Sequence, residues 1–268
     1  FTAEKYEPYR QPDNIKVPFW LTPVKHYVGP AWYQKEIRIP GKWNTKRIVL
    51  FLERCHWETQ VWVDGRSVGA ADSLSVPHEH DLGVLGQGRH TLTVCVDNTV
   101  KVGVGVNAHS VSDHTQTNWN GIIGNIELRA YDDVRIADVQ IYPDLEHRDA
   151  KVRVTMANQS GEKNAGTLTL QATSVNSDRK HKVTETSVLF AMEDANQTVE
   201  VDYAMGDDVL LWDEFSPNLY RLKVSIQGKD FRDERTVVFG MREFAAQGTH
   251  FAINGRKAFL RGTLECCI

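Results

Sequence analysis

His90-Thr-Leu-Thr-Val-Cys-Val-Asp-Asn98 is apolar at every second position, with Leu92, Val94 and Val96 set against Thr91, Thr93 and Cys95. A period of two sends alternate side chains to opposite faces of an extended chain, so this stretch reads as a half-buried strand. The same rhythm runs upstream through Tyr33, Ile37 and Ile39, set against Gln34, Glu36 and Arg38. Downstream it returns in Ile126 and Leu128, Val152 to Met156, Leu168 and Leu170, Val199 to Tyr203, and Leu222 to Ile226. Arg47-Ile-Val-Leu-Phe-Leu52 is apolar at both parities, which predicts a strand covered on both faces. Asp64-Gly65 and Asn254-Gly255 separate such runs and read as hairpin turns, because both residue types tolerate positive φ. No stretch of helical length carries the helical repeat. The pattern predicts an all-β protein built from packed antiparallel sheets.

The texture changes near residue 132. Six of the seven tryptophans (Trp20, Trp32, Trp43, Trp57, Trp62 and Trp119) precede it, and plainer strands rich in Ser, Thr, Asn and Asp follow. Asn158-Gln-Ser-Gly161 and Val175-Asn-Ser-Asp178 read as loops between those strands. About seven strands fit between Val134 and Phe239, the size of an immunoglobulin-like sandwich, without its Cys…Trp…Cys framework. The expected division is 1–132, 133–240 and a third segment, 241–268.

Composition narrows the function. Hydrophobic residues make up 41% of the 268 and charged residues 25%, enough for ordinary cores. A net charge of −4 and the lack of a basic cluster argue against nucleic acid. No apolar run approaches the ~18 residues of a membrane helix, so no membrane partner is expected. The start lacks the basic and apolar regions of a signal peptide. Cys55, Cys95, Cys266 and Cys267 lack zinc-ligand spacing and are expected as free thiols, the alternative being a Cys55–Cys95 bridge. The chain stops at Ile268 inside an apolar strand-like run, which suggests the front part of a longer protein.

Several blocks, in order, resemble one family. They are Gly29-Pro-Ala-Trp-Tyr-Gln-Lys-Glu-Ile-Arg-Ile-Pro40; Val61-Trp-Val-Asp-Gly-Arg-Ser-Val-Gly69 with Ser75-Val-Pro-His-Glu-His-Asp-Leu82; and His90 to Asn98. Then come Asn118-Trp-Asn-Gly-Ile-Ile-Gly-Asn-Ile-Glu-Leu128, Leu211-Trp-Asp-Glu-Phe-Ser-Pro-Asn-Leu-Tyr220, Phe239-Gly-Met-Arg-Glu-Phe244, and Phe251-Ala-Ile-Asn-Gly with Phe259-Leu-Arg-Gly262. The series is similar to the amino-terminal half of glycoside hydrolase family 2, the β-galactosidase and β-glucuronidase group. That resemblance implies a jelly-roll sugar-binding domain over 1–132 and an immunoglobulin-like β-sandwich over 133–240. It also implies that 241–268 leads into a truncated (β/α)8 barrel. The family's retaining hydrolysis uses two glutamates from later barrel strands, their carboxyls ~5–5.5 Å apart. The segments that would carry them lie beyond these 268 residues, so this chain alone is expected to be inactive.

Two departures bear on the substrate. Where members of the family show Arg-Gly-x-Asn-x-His, this chain has Arg261-Gly-Thr-Leu-Glu-Cys-Cys. Where β-glucuronidase-like members place an Asp, it has Thr115, with Asp113 the nearest acid. The loop His109–Asn120 combines hydroxyl-binding groups with an aromatic, as sugar recognition requires. By family position it would lean over the barrel mouth, making Asp113, His114, Asn118, Trp119 and Asn120 the candidate substrate-binding residues. The bland reading is a surface loop satisfying its own backbone.

Other features weigh less. His78 and His80 share a strand face and could ligate a metal, but no third ligand stands at a known spacing, so no metal is expected. The tryptophans could form a stacking platform, but such residues more often fill a sandwich core or cover a domain interface; Trp32 and Trp62, within strands, are expected to be structural, and Trp20, in an extended segment, could line a pocket. Glu265 is a lone carboxylate and is expected to be a pocket-edge or structural residue. No cofactor is called for. The expected partners are carbohydrate and the chain's own barrel domain, with a homo-oligomer compatible with the pattern. A periplasmic or secreted location fits sugar hydrolases of this layout. A free-standing carbohydrate-binding protein and an adhesive pair of sandwiches stand as alternatives.

Overall fold

The computed structural model describes residues 27–103 and 119–263. The chain separates into two compact units, the first comprising the residues up to Ala130 together with those from Thr263 and the second covering Tyr131–Gly262. Among the described residues every regular element is a strand, apart from a single 3₁₀ turn at Gly41–Trp43. No helix among them is long and apolar enough to cross a membrane.

The first unit holds β1 (Pro30–Ile39), β2 (Arg47–His56), β3 (Glu58–Val63), β4 (Arg66–Ala71), β5 (His78–Val84), β6 (Gly88–Asp97) and β7 (Gly121–Tyr131). They form two antiparallel sheets, ordered β1-β6-β3-β4 and β5-β2-β7. Leu92, Val94 and Val96 of β6 join Val61 and Val63 of β3 in the core, with Ile48, Leu50 and Leu52 of β2. The alternation in β6 is therefore read out as predicted. As the central strand of its sheet, β2 also buries Val49 on its other face, and the Arg129 guanidinium lies 3.5 Å from the centre of the Phe51 ring. Ile126 departs from expectation. It is 59% exposed on the edge strand β7, while Ile122 and Leu128 on either side of it pack against the core. Asp64 and Gly65 take φ of 50° and 80° between β3 and β4, the turn that matches strand twist.

The second unit begins with seven strands: β8 (Val134–Asp144), β9 (Asp149–Asn158), β10 (Asn164–Ser174), β11 (Thr186–Met192), β12 (Asn196–Ala204), β13 (Tyr220–Gly228) and β14 (Arg232–Phe239). They form sheets ordered β12-β9-β8 and β11-β10-β13-β14. The fourth strand pairs with the third instead of the fifth, an immunoglobulin-like variant. Val152, Val154 and Met156 of β9 meet Leu168, Leu170, Leu222, Val224 and Ile226 of the facing sheet in one core. Two buried tyrosines add directional contacts. Tyr203 of β12 reaches the facing sheet, where its hydroxyl accepts from the Ala172 amide at 3.0 Å. That amide lies beyond the end of the β10–β11 pairing at Leu170 and Thr186. Tyr220 opens β13, and its hydroxyl accepts from the Leu210 amide at 2.9 Å and lies 2.6 Å from His181 Nδ1. A tyrosine at the start of this strand, bonded back to upstream backbone, marks sandwiches of this type.

Residues 244–258 form a three-stranded meander, β15 (Phe244–Gln247), β16 (His250–Ile253) and β17 (Arg256–Ala258), which groups with the second unit. Asn254 and Gly255 supply its second turn at φ of 51° and 72°. Asn254 also anchors it. Its Oδ1 accepts from the Glu243 amide at 2.9 Å, and its Nδ2 donates to the Trp212 carbonyl at 3.0 Å. Arg242 covers the Trp212 ring at 4.6 Å.

The tyrosine contacts predict a specific cost. Tyr203→Phe leaves the Ala172 amide buried and unpaired, so urea unfolding should show a loss of about 1–3 kcal/mol in the second unit. Val199→Ala, at a half-buried position on the same strand, should cost less than the hydroxyl. Equal stability of Tyr203→Phe and the parent would discount the bond.

Candidate functional site

The predicted sugar loop ends at Trp119 and Asn120, which the structure places at one end of the first unit. Asp113, His114 and Asn118 lie outside the described residues, as do Trp20 and Glu265. Three strand ends converge on the pair. The end of β2 supplies His56, whose Nδ1–H donates to the Trp119 carbonyl. The two rings sit 5.3 Å apart at 56°. Trp57 follows, donating its backbone amide to the Asp97 carbonyl at 3.0 Å and its indole N–H to the Asp72 carbonyl at 2.8 Å. The end of β6 leads to Asn98, which is a hub. Its Nδ2 donates to Asn120 Oδ1 and to the Tyr27 carbonyl, each at 2.7 Å, and its Oδ1 accepts from the Gly29 amide at 2.7 Å. The start of β7 is Gly121, at φ +80°, where a Cβ would fall 2.7 Å from the Tyr33 hydroxyl. Only glycine fits that exit from the loop.

The charges nearby are internally paired. Lys101 Nζ lies 2.8 Å from Asp97 Oδ2 and 3.4 Å from Glu58 Oε2. The Lys101 hydrogen bond holds the Asp97 carboxyl below its usual range, and Asp97 in turn holds the ammonium above its own. What this end offers is an indole and neutral amides, groups that stack on and hydrogen-bond to hydroxylated ligands. Nothing in the sequence pattern assigned a role to His56, Asn98 or Tyr27. For His56 and Asn98, a position at the end of a core strand or directly after one was the available signal; Tyr27, upstream of β1, carried none.

His78 and His80 are both turned inward from β5 and meet Thr59 of β3 in the facing sheet. Thr59 is fully buried. Its Oγ1 is 2.7 Å from His78 Nδ1 and 2.9 Å from His80 Nε2, while His78 Nε2 lies 2.7 Å from the Ser73 carbonyl. The Ser73 amide also lies 3.1 Å from His78 Nε2, so Thr59, His78, His80 and the Ser73 backbone form one hydrogen-bonded cluster between the sheets. Glu79 points to the opposite face, where Arg129 approaches to 3.3 Å. Among the described residues no three His, Cys, Asp or Glu side chains cluster as metal ligands. Cys55 and Cys95 are free thiols, and burial pushes the Cys55 thiol up to about 12.

Trp32 and Trp62 both lie on the outer face of β1-β6-β3-β4, because their strand parity is opposite to Val94 and Val61. Trp32 is 63% exposed.

Two β-sandwiches in series, the first ending in an aromatic and amide cluster, define a class of multidomain protein. The profile "Glycosyl hydrolases family 2, sugar binding domain" matches residues 3–131, and "Glycosyl hydrolases family 2" matches residues 134–242. The chain belongs to glycosyl hydrolase family 2. A beta-galactosidase of Thermoanaerobacterium thermosulfurigenes is 24% identical over 257 residues, covering 93% of this chain and 35% of the relative. A beta-glucuronidase of Paenibacillus borealis is 22% identical, covering 89% and 40%. The chain therefore spans little more than a third of these relatives. Among solved structures, Bacteroides uniformis beta-glucuronidase superposes with a TM-score of 0.73 at 20% identity, over 88% of this chain and 29% of that one. A GH2 beta-galacturonidase from Eisenbergiella tayi bound to galacturonate gives 0.66 at 19%, over 86% and 39%.

The histidine cluster predicts a pH dependence. Burial, with His78 beside it, pushes the His80 imidazole down to about 4. An unfolded histidine titrates near ~6.5. Between these values the unfolded chain binds a proton that the folded chain does not. Stability is therefore fully present above ~6.5 and falls by roughly 3 kcal/mol as pH drops through this window. The difference in urea midpoint between parent and His80→Leu, followed across the window, should carry that slope. Parallel curves would dismiss the assignment.

Proposed function

We propose that this chain is the non-catalytic amino-terminal part of an exo-acting, retaining glycoside hydrolase. The whole protein releases a terminal β-linked hexosyl or hexuronosyl residue. The observation that carries this reading is the ordered pair of family 2 matches over 3–131 and 134–242, in a chain spanning little more than a third of its glycosidase relatives. The first unit completes the sugar subsite, the second braces the barrel, and 241–263 leads toward it. Hydrolysis is carried by two barrel carboxyls outside this chain.

Within the first unit, the end built from Trp119 and Asn120 meets the substrate. The supporting features are the Asn98 hub, which fixes the Asn120 amide, and the His56 bond, which fixes the Trp119 backbone. Both supports work by orienting groups before the ligand arrives, which lowers the entropy cost of binding. His56 is occupied by a carbonyl and serves as a brace.

The purified 268-residue chain should give no turnover of p-nitrophenyl β-galactoside or β-glucuronide, while the complete gene product turns over one of them with retained anomeric configuration. In the complete protein, Asn120→Ala should raise KM about tenfold with a smaller change in kcat, as expected for loss of one positioning hydrogen bond. Turnover by the 268-residue chain itself would overturn the assignment of roles.

A further inference from the structure

The outer face of the sheet β1-β6-β3-β4 has a composition that sandwich stability does not call for. Register places Trp32 opposite Cys95 and Trp62 opposite Thr93, so the two indoles rise from strands on either side of β6. Their ring centroids are 5.3 Å apart, with planes inclined at 32°. Trp62 is half-buried and supports Trp32, which holds most of its indole in solvent. Large aromatic side chains are among the groups a folded protein most readily buries, so an exposed, braced indole points to a ligand.

The surroundings indicate which ligand. Gln34 Nε2 donates to Thr93 Oγ1 at 3.1 Å, and Gln60 is exposed beside Trp62 on β3. The middle of the face is thus aromatic with neutral amide and hydroxyl groups. Charges stand only at its two ends. Glu36 pairs with Arg89 at 3.2 Å, with Arg38 just beyond, and Lys101 pairs with Asp97 and Glu58 at the other end. The formal charges of the two ends cancel. Such a face neither attracts a polyanion nor forces a neutral ligand to strip a lone charge of water. An exposed indole braced by a second, with the Gln34 and Gln60 amides beside it and Gln60 Nε2 donating to Glu58 Oε1 at 2.7 Å, fits the apolar face of a pyranose ring and its flanking hydroxyls.

We propose that Trp32, supported by Trp62 and flanked by Gln34, Gln60 and Thr93, is a second saccharide-binding surface for neutral glycan chains. It is separate from the Trp119 and Asn120 end and does not depend on their role. It holds an extended neutral polysaccharide to the protein while a chain end is processed elsewhere.

Cellohexaose and mannohexaose, with hexagalacturonate as the charged control, are titrated into the full chain and followed by tryptophan fluorescence and calorimetry. At least one neutral hexasaccharide should bind saturably, and hexagalacturonate should bind more weakly. Trp32→Ala should weaken the neutral binding about tenfold or more, and Trp32→Phe should restore part of it, since a smaller aromatic face remains. Asn120→Ala should leave this binding unchanged, which separates failure here from failure of the subsite reading. Three outcomes would overturn the proposal: no saturable neutral ligand, equal loss in Asn120→Ala, or self-association that Trp32→Ala abolishes. The last assigns the face to a second copy of the chain.

Discussion

Each sandwich of this protein is registered by a buried polar contact that crosses from one sheet to the other. Apolar contacts between facing sheets are non-directional, and a one-residue slip would turn every side chain of a strand to the wrong face. In the first unit, Thr59 of β3 bonds to His78 and His80 of β5. In the second, Tyr203 of β12 bonds to the Ala172 amide of β10. A shift of either pair would strand a buried donor or acceptor, at about 1–3 kcal/mol for each group. The alignment of the sheets therefore rests on hydroxyls and imidazoles, and the bulk of the folding energy on valine, leucine and isoleucine.

This registration matters because the candidate site is made of strand ends. His56 closes β2, Asn98 follows β6, and Gly121 opens β7. β2 and β7 belong to one sheet and β6 to the other, so their ends meet only if the two sheets are aligned. The hydrogen bonds from His56 to Trp119 and from Asn98 to Asn120 carry that alignment into the loop. A rigid sandwich presenting a loop from its end is a common way to place binding residues.

The elements themselves were largely legible in the sequence. Alternation in Leu92, Val94 and Val96 follows directly from strand geometry, and Asp64-Gly65 and Asn254-Gly255 are turns because few other residues accept their φ values. The continuous apolar run of β2 indicated a strand covered on both faces, and Val49 is buried on the face opposite Ile48, Leu50 and Leu52. Ile126 was misread because periodicity reports which face a residue takes, while edge position decides how much of that face is covered. For Trp32 and Trp62, expected to be structural, parity against Val94 and Val61 decides the face, which is the outer one.

Taken alone, the sequence determined the all-β class, the strand periods, the tight turns and the family, because these depend on local stereochemistry and on ordered motifs along the chain. Tertiary structure alone decided that His78 and His80 meet Thr59 across the sheets, that Asn98 bonds to Asn120, and that an indole pair lies on an outer sheet face. Each of these joins residues from different strands. Which strands become neighbours is set by sheet order and by the packing of one sheet on another, and no short-range pattern encodes that.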